Sequence, residues 1–120
     1  MLNYTKTYVD NSNSYSTDEK KTGEKWIDGK PIYRKVVDFG ALPNATTKMV
    51  AHDVSNIGDI THIYGVAYSS DKKTIPLPYA SGVPIILYAY QDDVAVEISS
   101  NAYVDFTSSK ITIEYTKTTD

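Results

Sequence analysis

The last third of the chain alternates between apolar and polar residues with a period of two, the period of a β-strand with one buried face. Segments 94–98, 102–107 and 111–116 all show this alternation, and segment 85–90 is apolar on both faces, as expected of a central strand. The residue pairs that link the segments favour turns: Asp92-Asp93, Ser100-Asn101 and Ser108-Ser109. The pattern therefore predicts that these four segments form an antiparallel meander.

The sequence between Trp26 and Phe39 predicts a β-hairpin. Asp28 and Gly29 stand between two apolar flanks, and both residue types tolerate the positive φ angles of a type I′ turn. The second strand of this hairpin continues to Phe39 and ends at Gly40. We therefore assign Asp28 and Gly29 to a structural turn.

Shorter extended segments occupy the middle of the chain. Segments 48–54 and 60–66 are predicted strands, and segment 75–79 is an edge strand or extended loop because Pro76 and Pro78 donate no ladder hydrogen bonds. No segment places apolar residues at the spacing of an amphipathic helix. The predicted fold class is all-β: an antiparallel β-sandwich or barrel-like domain of about eight short strands, with a polar N-terminal arm.

The length of 120 residues is typical of one domain. Residues 1–25 are polar, rich in Asn, Ser, Thr and Lys, and show no sustained periodicity. We predict that residues 1–25 form a polar N-terminal arm or stalk junction and that residues 26–120 form the β-sandwich domain.

Composition and charge argue against several classes of partner. The net charge is −3 and the lysines are interleaved with acids, whereas a nucleic-acid-binding surface needs a basic footprint. There is no cysteine, so disulfides and thiolate metal sites are excluded. The longest apolar run, 83–90, is far shorter than the ~20 residues that span a bilayer. We expect neither nucleic acid nor a membrane as a partner.

Candidate catalytic and metal-binding side chains are few. They are two histidines and four carboxylates: His52, His62, Asp92, Asp93, Glu97 and Glu114. The histidines lack the H-x-H and H-E-x-x-H spacings of metal sites and are interpreted as half-buried, hydrogen-bonded residues. The adjacent aspartates are interpreted as a turn, and the glutamates, on the polar face of neighbouring strand positions, show no cleft arrangement of a glycosidase. We predict no catalytic residues, no metal, no cofactor and no enzyme activity.

Tyrosine is unusually frequent, with 11 residues against two Phe and one Trp. A tyrosine offers an apolar ring face and a hydroxyl group, which suits both protein interfaces and sugar rings. Cross-strand tyrosine pairs also stabilise sheets without any ligand. As candidate ligand-binding residues we select the tyrosines near predicted turns: Tyr68, Tyr79 and Tyr103.

Several short stretches from Tyr15 onward form a recognisable set of motifs. They are Tyr15-Ser16-Thr17-Asp18-Glu19, Gly23, Trp26-Ile27-Asp28-Gly29-Lys30-Pro31-Ile32-Tyr33-Arg34-Lys35, Asp38-Phe39-Gly40-Ala41-Leu42-Pro43-Asn44, Ala51-His52, Ile63-Tyr64-Gly65 and Ile75-Pro76-Leu77-Pro78. Through these stretches, nearly the whole chain from Tyr15 onward resembles the C-terminal domain of tail-fibre and head-fibre proteins from phages and prophages of Gram-positive bacteria. Asp53 stands where that family has glycine.

The resemblance implies a virion protein. Such a domain is expected to be a homotrimer attached to an upstream fibre stalk or another virion protein, and to face host cell-wall carbohydrate. It is expected to assemble in the bacterial cytoplasm and to leave by lysis as part of the virion. The resemblance supplies no catalytic residues. Two alternatives stay open: a purely structural trimerisation or attachment cap without receptor binding, and a small polysaccharide hydrolase.

Overall fold

The computed structural model describes residues 14–120 of the chain. These residues contain no helix, and so none that would be long and apolar enough to cross a membrane. The strands are β1 (Lys20–Lys25), β2 (Pro31–Asp38), β3 (Thr46–Ala51), β4 (Ile57–Ser69), β5 (Thr74–Leu77), β6 (Ile86–Ala89), β7 (Asp93–Ile98) and β8 (Phe106–Lys117).

The strands form two antiparallel sheets. The larger sheet has the order β1-β2-β8-β4-β5, and the smaller has the order β3-β7-β6. Every strand pairing within the described residues is antiparallel. The predicted class, an all-β domain of about eight strands with a sandwich-like arrangement, is therefore confirmed.

The core contains side chains from both sheets, which pack on each other. In β7 the residues that alternate in the sequence, Val94, Val96 and Ile98, are at most 1% exposed. In β8 Ile111 and Ile113 are completely buried. Burial of each of these aliphatic side chains contributes about 1.5–3 kcal/mol relative to an exposed position. The same alternation that predicted the strands thus provides the core.

A hairpin surrounds the predicted turn, but its first strand, β1, ends before Trp26, where the predicted hairpin begins, and the turn is not the predicted type I′. The Trp26 carbonyl oxygen accepts a hydrogen bond from the Gly29 N–H, and the Trp26 N–H donates to the Lys30 carbonyl oxygen, both at 2.9 Å. Gly29 has φ of +85°, whereas Asp28 does not have a positive φ. This is a three-residue loop with a glycine bulge, in which the Asp28 carboxylate accepts the Lys30 N–H at 3.0 Å.

The prediction of a four-strand meander is wrong for its third strand. Segment 102–107 forms a turn in which only the last two residues, from Phe106, belong to a strand. Tyr103 is buried while Val104 is 54% exposed, so the apolar residues of this segment do not share one face. After β7 the chain leaves the smaller sheet and enters the larger one as β8. As a result β6 is an edge strand, not a central one, and β7 is the centre of its sheet.

The larger sheet begins earlier than the predicted domain boundary, because β1 lies within segment 1–25. Thr22 in β1 is only 4% exposed, and its hydroxyl donates to the Ile32 carbonyl oxygen at 2.9 Å. Residues 1–13 of the predicted arm lie outside the described residues. At the opposite edge of this sheet β5 contains Pro76, in agreement with the predicted edge strand.

Replacement of Gly29 by Val tests the turn. A β-branched residue at φ of +85° is strained, so we expect a loss of at least ~1 kcal/mol in the free energy of unfolding, measured by thermal and urea denaturation. Gly82→Val is the matched control, because Gly82 has open space around its Cα and no positive φ. Equal melting temperatures for Gly29→Val and the wild type would contradict the left-handed turn.

Candidate functional site

The structure separates the predicted tyrosines into two locations. Tyr68 lies in β4 beside an open groove and is partly exposed. Tyr79 and Tyr103 pack on each other away from that groove, with ring centroids 6.3 Å apart and planes at 76°. Tyr103 also packs edge-on against Phe106 at 5.8 Å. Of the predicted residues, Tyr68 is therefore the one with its side chain at an open surface groove.

The Tyr103 hydroxyl anchors a loop. It donates to the Val83 carbonyl oxygen and lies 2.7 Å from the Ser81 hydroxyl. Tyr79 and Ile85, at the two ends of this loop, form an isolated antiparallel bridge. With Tyr103 only 8% exposed and Tyr79 packed against the core, the contacts of this pair hold the loop in place.

The groove beside Tyr68 lies on the outer face of the larger sheet. Alternation along β4 places Tyr64, Val66 and Tyr68 on this face. The neighbouring strand β8 contributes Lys110 and Thr112, which pair with Val66 and Tyr64. The groove has a volume of about 320 Å³ and its lining is Tyr15, Val36, Tyr64, Gly65, Val66, Tyr68, Lys110 and Thr112. We call it the Tyr68 groove.

A hydrogen-bond network connects two residues that line the Tyr68 groove, Tyr15 and Tyr64. Glu114 accepts hydrogen bonds from Arg34 Nε and from the Tyr64 hydroxyl, both at 2.9 Å. The Tyr64 and Tyr15 hydroxyls are 3.1 Å apart, and the Arg34 guanidinium lies 4.3 Å from the centroid of the Tyr15 ring. A cation over an aromatic face is an attractive contact. The network therefore fixes Tyr15, on the segment before β1, against the outer face of the sheet.

The ion pair at the centre of this network is well shielded from solvent. The side chains of Arg34 and Glu114 are 11% and 13% exposed. His62, by contrast, is largely exposed; its ring lies 4.3 Å from that of Tyr64 and its Nδ1 is 3.9 Å from a Glu114 oxygen.

The pKa of Tyr64 is raised by burial, by the hydrogen bond with Tyr15 and by the negative charge of Glu114. Each of these effects disfavours the phenolate. Tyr64 is thus a neutral hydrogen-bond donor to Glu114 at physiological pH.

The remaining candidate catalytic and metal-binding residues have structural roles. His52 is 1% exposed, which is more buried than predicted, and it is hydrogen-bonded as predicted. Its Nδ1 accepts the Val54 N–H at 3.2 Å, and its Nε2 lies 3.3 Å from the Tyr90 carbonyl oxygen. Asp92 lies in the β6–β7 turn, as predicted, whereas Asp93 is already the first residue of β7. Among residues 14–120, no group of three or more His, Asp or Glu side chains is arranged to hold a metal ion.

Glu97 and Glu114 are not on neighbouring strands, contrary to the prediction. Glu97 lies in β7 of the smaller sheet, whereas Glu114 lies in β8 of the larger one. The sequence offered no signal for this separation, because it depends on the crossover after β7. The partner of Glu114 is Arg34, which is 80 residues away in sequence and directly opposite in the β2–β8 register.

Comparison with known proteins gives no match: no protein-family model, curated protein or solved structure is significantly similar to this chain. The resemblance to phage fibre domains therefore stays a prediction from the sequence.

Replacement of Glu114 by Gln tests the shielded ion pair. It removes the negative charge from an ion pair whose side chains are 11% and 13% exposed, and we expect a loss of about 2–4 kcal/mol in the free energy of unfolding, measured by urea denaturation. The control is Asp38→Asn, which breaks the exposed pair between Lys110 and Asp38 and should cost less than ~1 kcal/mol. Similar losses in the two variants would show that the shielding of Glu114 has no energetic effect.

Proposed function

We propose that this chain is a phage virion fibre domain, which assembles as a homotrimer and presents a surface that binds a host cell-surface glycan. The observation that supports glycan binding is the Tyr68 groove. It combines tyrosine rings and apolar walls with polar groups at its edge. A sugar ring has one apolar face and a rim of hydroxyl groups, which matches this combination.

The size and the polar groups of the groove also suit a sugar. Its volume of about 320 Å³ falls at the lower end of the ~300–1,000 Å³ that small-molecule pockets occupy. The Lys110 ammonium has three donors, of which one is used by Asp38. The Glu114 network holds Tyr15 and Tyr64 in place before a ligand arrives, so less entropy is lost on binding.

A purely structural cap, which trimerises or attaches the fibre and binds no receptor, is the second candidate. One observation favours it: the outer face of the smaller sheet exposes apolar side chains. Met49 and Ile86 are 49% and 45% exposed. Met49 and Tyr88 are both register partners of Ala95, so they lie side by side across the central strand. An exposed apolar face of this kind fits another protein chain.

Light scattering tests the assembly. Purified protein should have three times the chain mass of 13.3 kDa at micromolar concentration. Met49→Lys should reduce the fraction of trimer if the smaller sheet faces the other copies, and Val104→Lys, at an exposed residue of the 102–107 turn, is the control. A monomer at millimolar concentration would contradict the proposed homotrimer.

Retention on purified walls of Gram-positive bacteria tests glycan binding. Tyr68→Ala removes one ring of the groove and should weaken retention about tenfold, the effect of losing ~1.4 kcal/mol of stacking and burial. The control is Tyr79→Phe, which leaves the Tyr68 groove unchanged. Wild-type retention by Tyr68→Ala, or no retention of the wild type, would count against the Tyr68 groove and favour the structural cap.

A further inference from the structure

A second concave surface lies where three parts of the chain meet: the β1–β2 turn, the start of β4 and the β6–β7 turn. Its volume is about 410 Å³. It shares no lining residue with the Tyr68 groove. The lining residues are Trp26, Ile57, Gly58, Asp59, Ile60, Ala89, Tyr90 and Gln91. We call it the Trp26 cleft.

Irregular pairing of β4 with β8 shapes one wall of the Trp26 cleft. The register shifts between Ile57 and Ile60, and again between Ile60 and His62. Such bulges redirect side chains and are frequent beside binding sites. Gly58 passes so close to β8 that a Cβ there would lie 2.8 Å from Thr116 Oγ1. The Asp59 N–H donates to the same Thr116 oxygen at 3.0 Å, so the backbone that carries the Asp59 carboxylate is fixed.

Backbone hydrogen bonds also fix the main chain at the two aromatic residues of the Trp26 cleft, Trp26 and Tyr90. The Trp26 N–H donates to Lys30 in the hairpin loop at 2.9 Å. The Tyr90 N–H donates to Asp93 at 2.8 Å, and the Tyr90 ring packs edge-on against Tyr88 at 5.6 Å. Tyr90 is nevertheless 53% exposed. A fixed and exposed aromatic side chain offers contact area at little entropic cost.

The polar residues of the Trp26 cleft supply both donors and acceptors. Asp59 is exposed and takes part in none of the ion pairs formed within residues 14–120. The Gln91 side-chain nitrogen lies 3.5 Å from the Ile57 carbonyl oxygen across the cleft, which leaves the amide oxygen as an acceptor. Sugar hydroxyls both donate and accept, so a carboxylate beside an amide and two aromatic residues matches them.

We propose that the Trp26 cleft binds one neutral pyranose unit. The inference rests on the proposed function in one respect: the sugar would belong to the same host surface polysaccharide that the Tyr68 groove contacts. One face of the pyranose packs on Trp26 or Tyr90, and its hydroxyl groups hydrogen-bond to Asp59 and Gln91. The Asp59 carboxylate repels acidic sugars. Quaternary ammonium groups are bound by cages of aromatic side chains. Ile57 and Ile60 make part of the wall of the Trp26 cleft aliphatic, so the cleft is not such a cage.

Trp26 is the only tryptophan of the chain, so its fluorescence reports on this cleft directly. The experiment titrates the intact protein with glucose, galactose, rhamnose and N-acetylglucosamine as neutral sugars, with glucuronic acid as an acidic sugar, and with choline as a quaternary ammonium. We expect a saturable fluorescence change with at least one neutral sugar, with a Kd on the order of 1 mM, and none with glucuronic acid or choline.

Three variants locate the binding. Asp59→Asn keeps the shape of the side chain and the backbone bond to Thr116, and it should weaken binding of the neutral sugar at least fivefold, by about 1 kcal/mol. Tyr90→Ala should weaken it about tenfold. Val104→Ala, at an exposed residue of the 102–107 turn that lines neither the Trp26 cleft nor the Tyr68 groove, is the control and should leave the Kd unchanged. Thermal melting of each variant shows that a changed Kd does not come from unfolding.

The outcomes that overturn the proposal are specific. They are the absence of a saturable response to every neutral sugar, saturation by glucuronic acid or choline alone, and an unchanged Kd in both Asp59→Asn and Tyr90→Ala. If the protein binds cell walls while the fluorescence shows no sugar response, the Trp26 cleft fails and the proposed function stands. If sugars bind at the cleft but the protein is monomeric and binds no cell wall, the proposed function fails and the cleft stands.

Discussion

Strand β8 is the element on which the larger sheet depends, because it is hydrogen-bonded along both edges. Its long run from Phe106 to Lys117 pairs with β2 on one side and with β4 on the other. The inward side chains of Ile111 and Ile113 are completely buried against the core. The strand therefore cannot slip by one residue, since a slip would place these side chains on the outer face. The positions of the side chains on that outer face therefore depend on the register of β8.

The same register couples stability to the candidate site. Glu114 lies between Ile113 and Tyr115, which are both completely buried, and on its own face it holds Arg34 and Tyr64. The Tyr115 hydroxyl in turn donates to Glu19 at 2.6 Å, which ties the segment before β1 to β8. The outer-face network is thus supported directly by the core beneath it. A rigid support of this kind keeps binding side chains in place without a ligand.

Local patterns in the sequence predicted the strands well where burial on one face decides the structure. Segments 94–98 and 111–116 became β7 and part of β8 for this reason. Segment 102–107 has the same alternation, but Tyr103 turns inward to hold the loop around Val83, and the segment forms a turn. The spacing of apolar residues in the sequence does not show whether a strand or a turn buries more side-chain surface.

The candidate sites were harder to predict because they depend on strand order. Tyr68 was selected from composition and its place near a turn, and it does lie at an open groove. Arg34 and Glu114 come together only because β2 and β8 are neighbours, and Trp26 and Tyr90 only because two turns lie at the same end of the sandwich. The outermost strands have a further consequence for crowded conditions. Pro76 in β5 has no N–H to offer, and β1 carries exposed lysines and a bulge, so neighbouring copies held close together cannot readily extend one another's larger sheet into an aggregate.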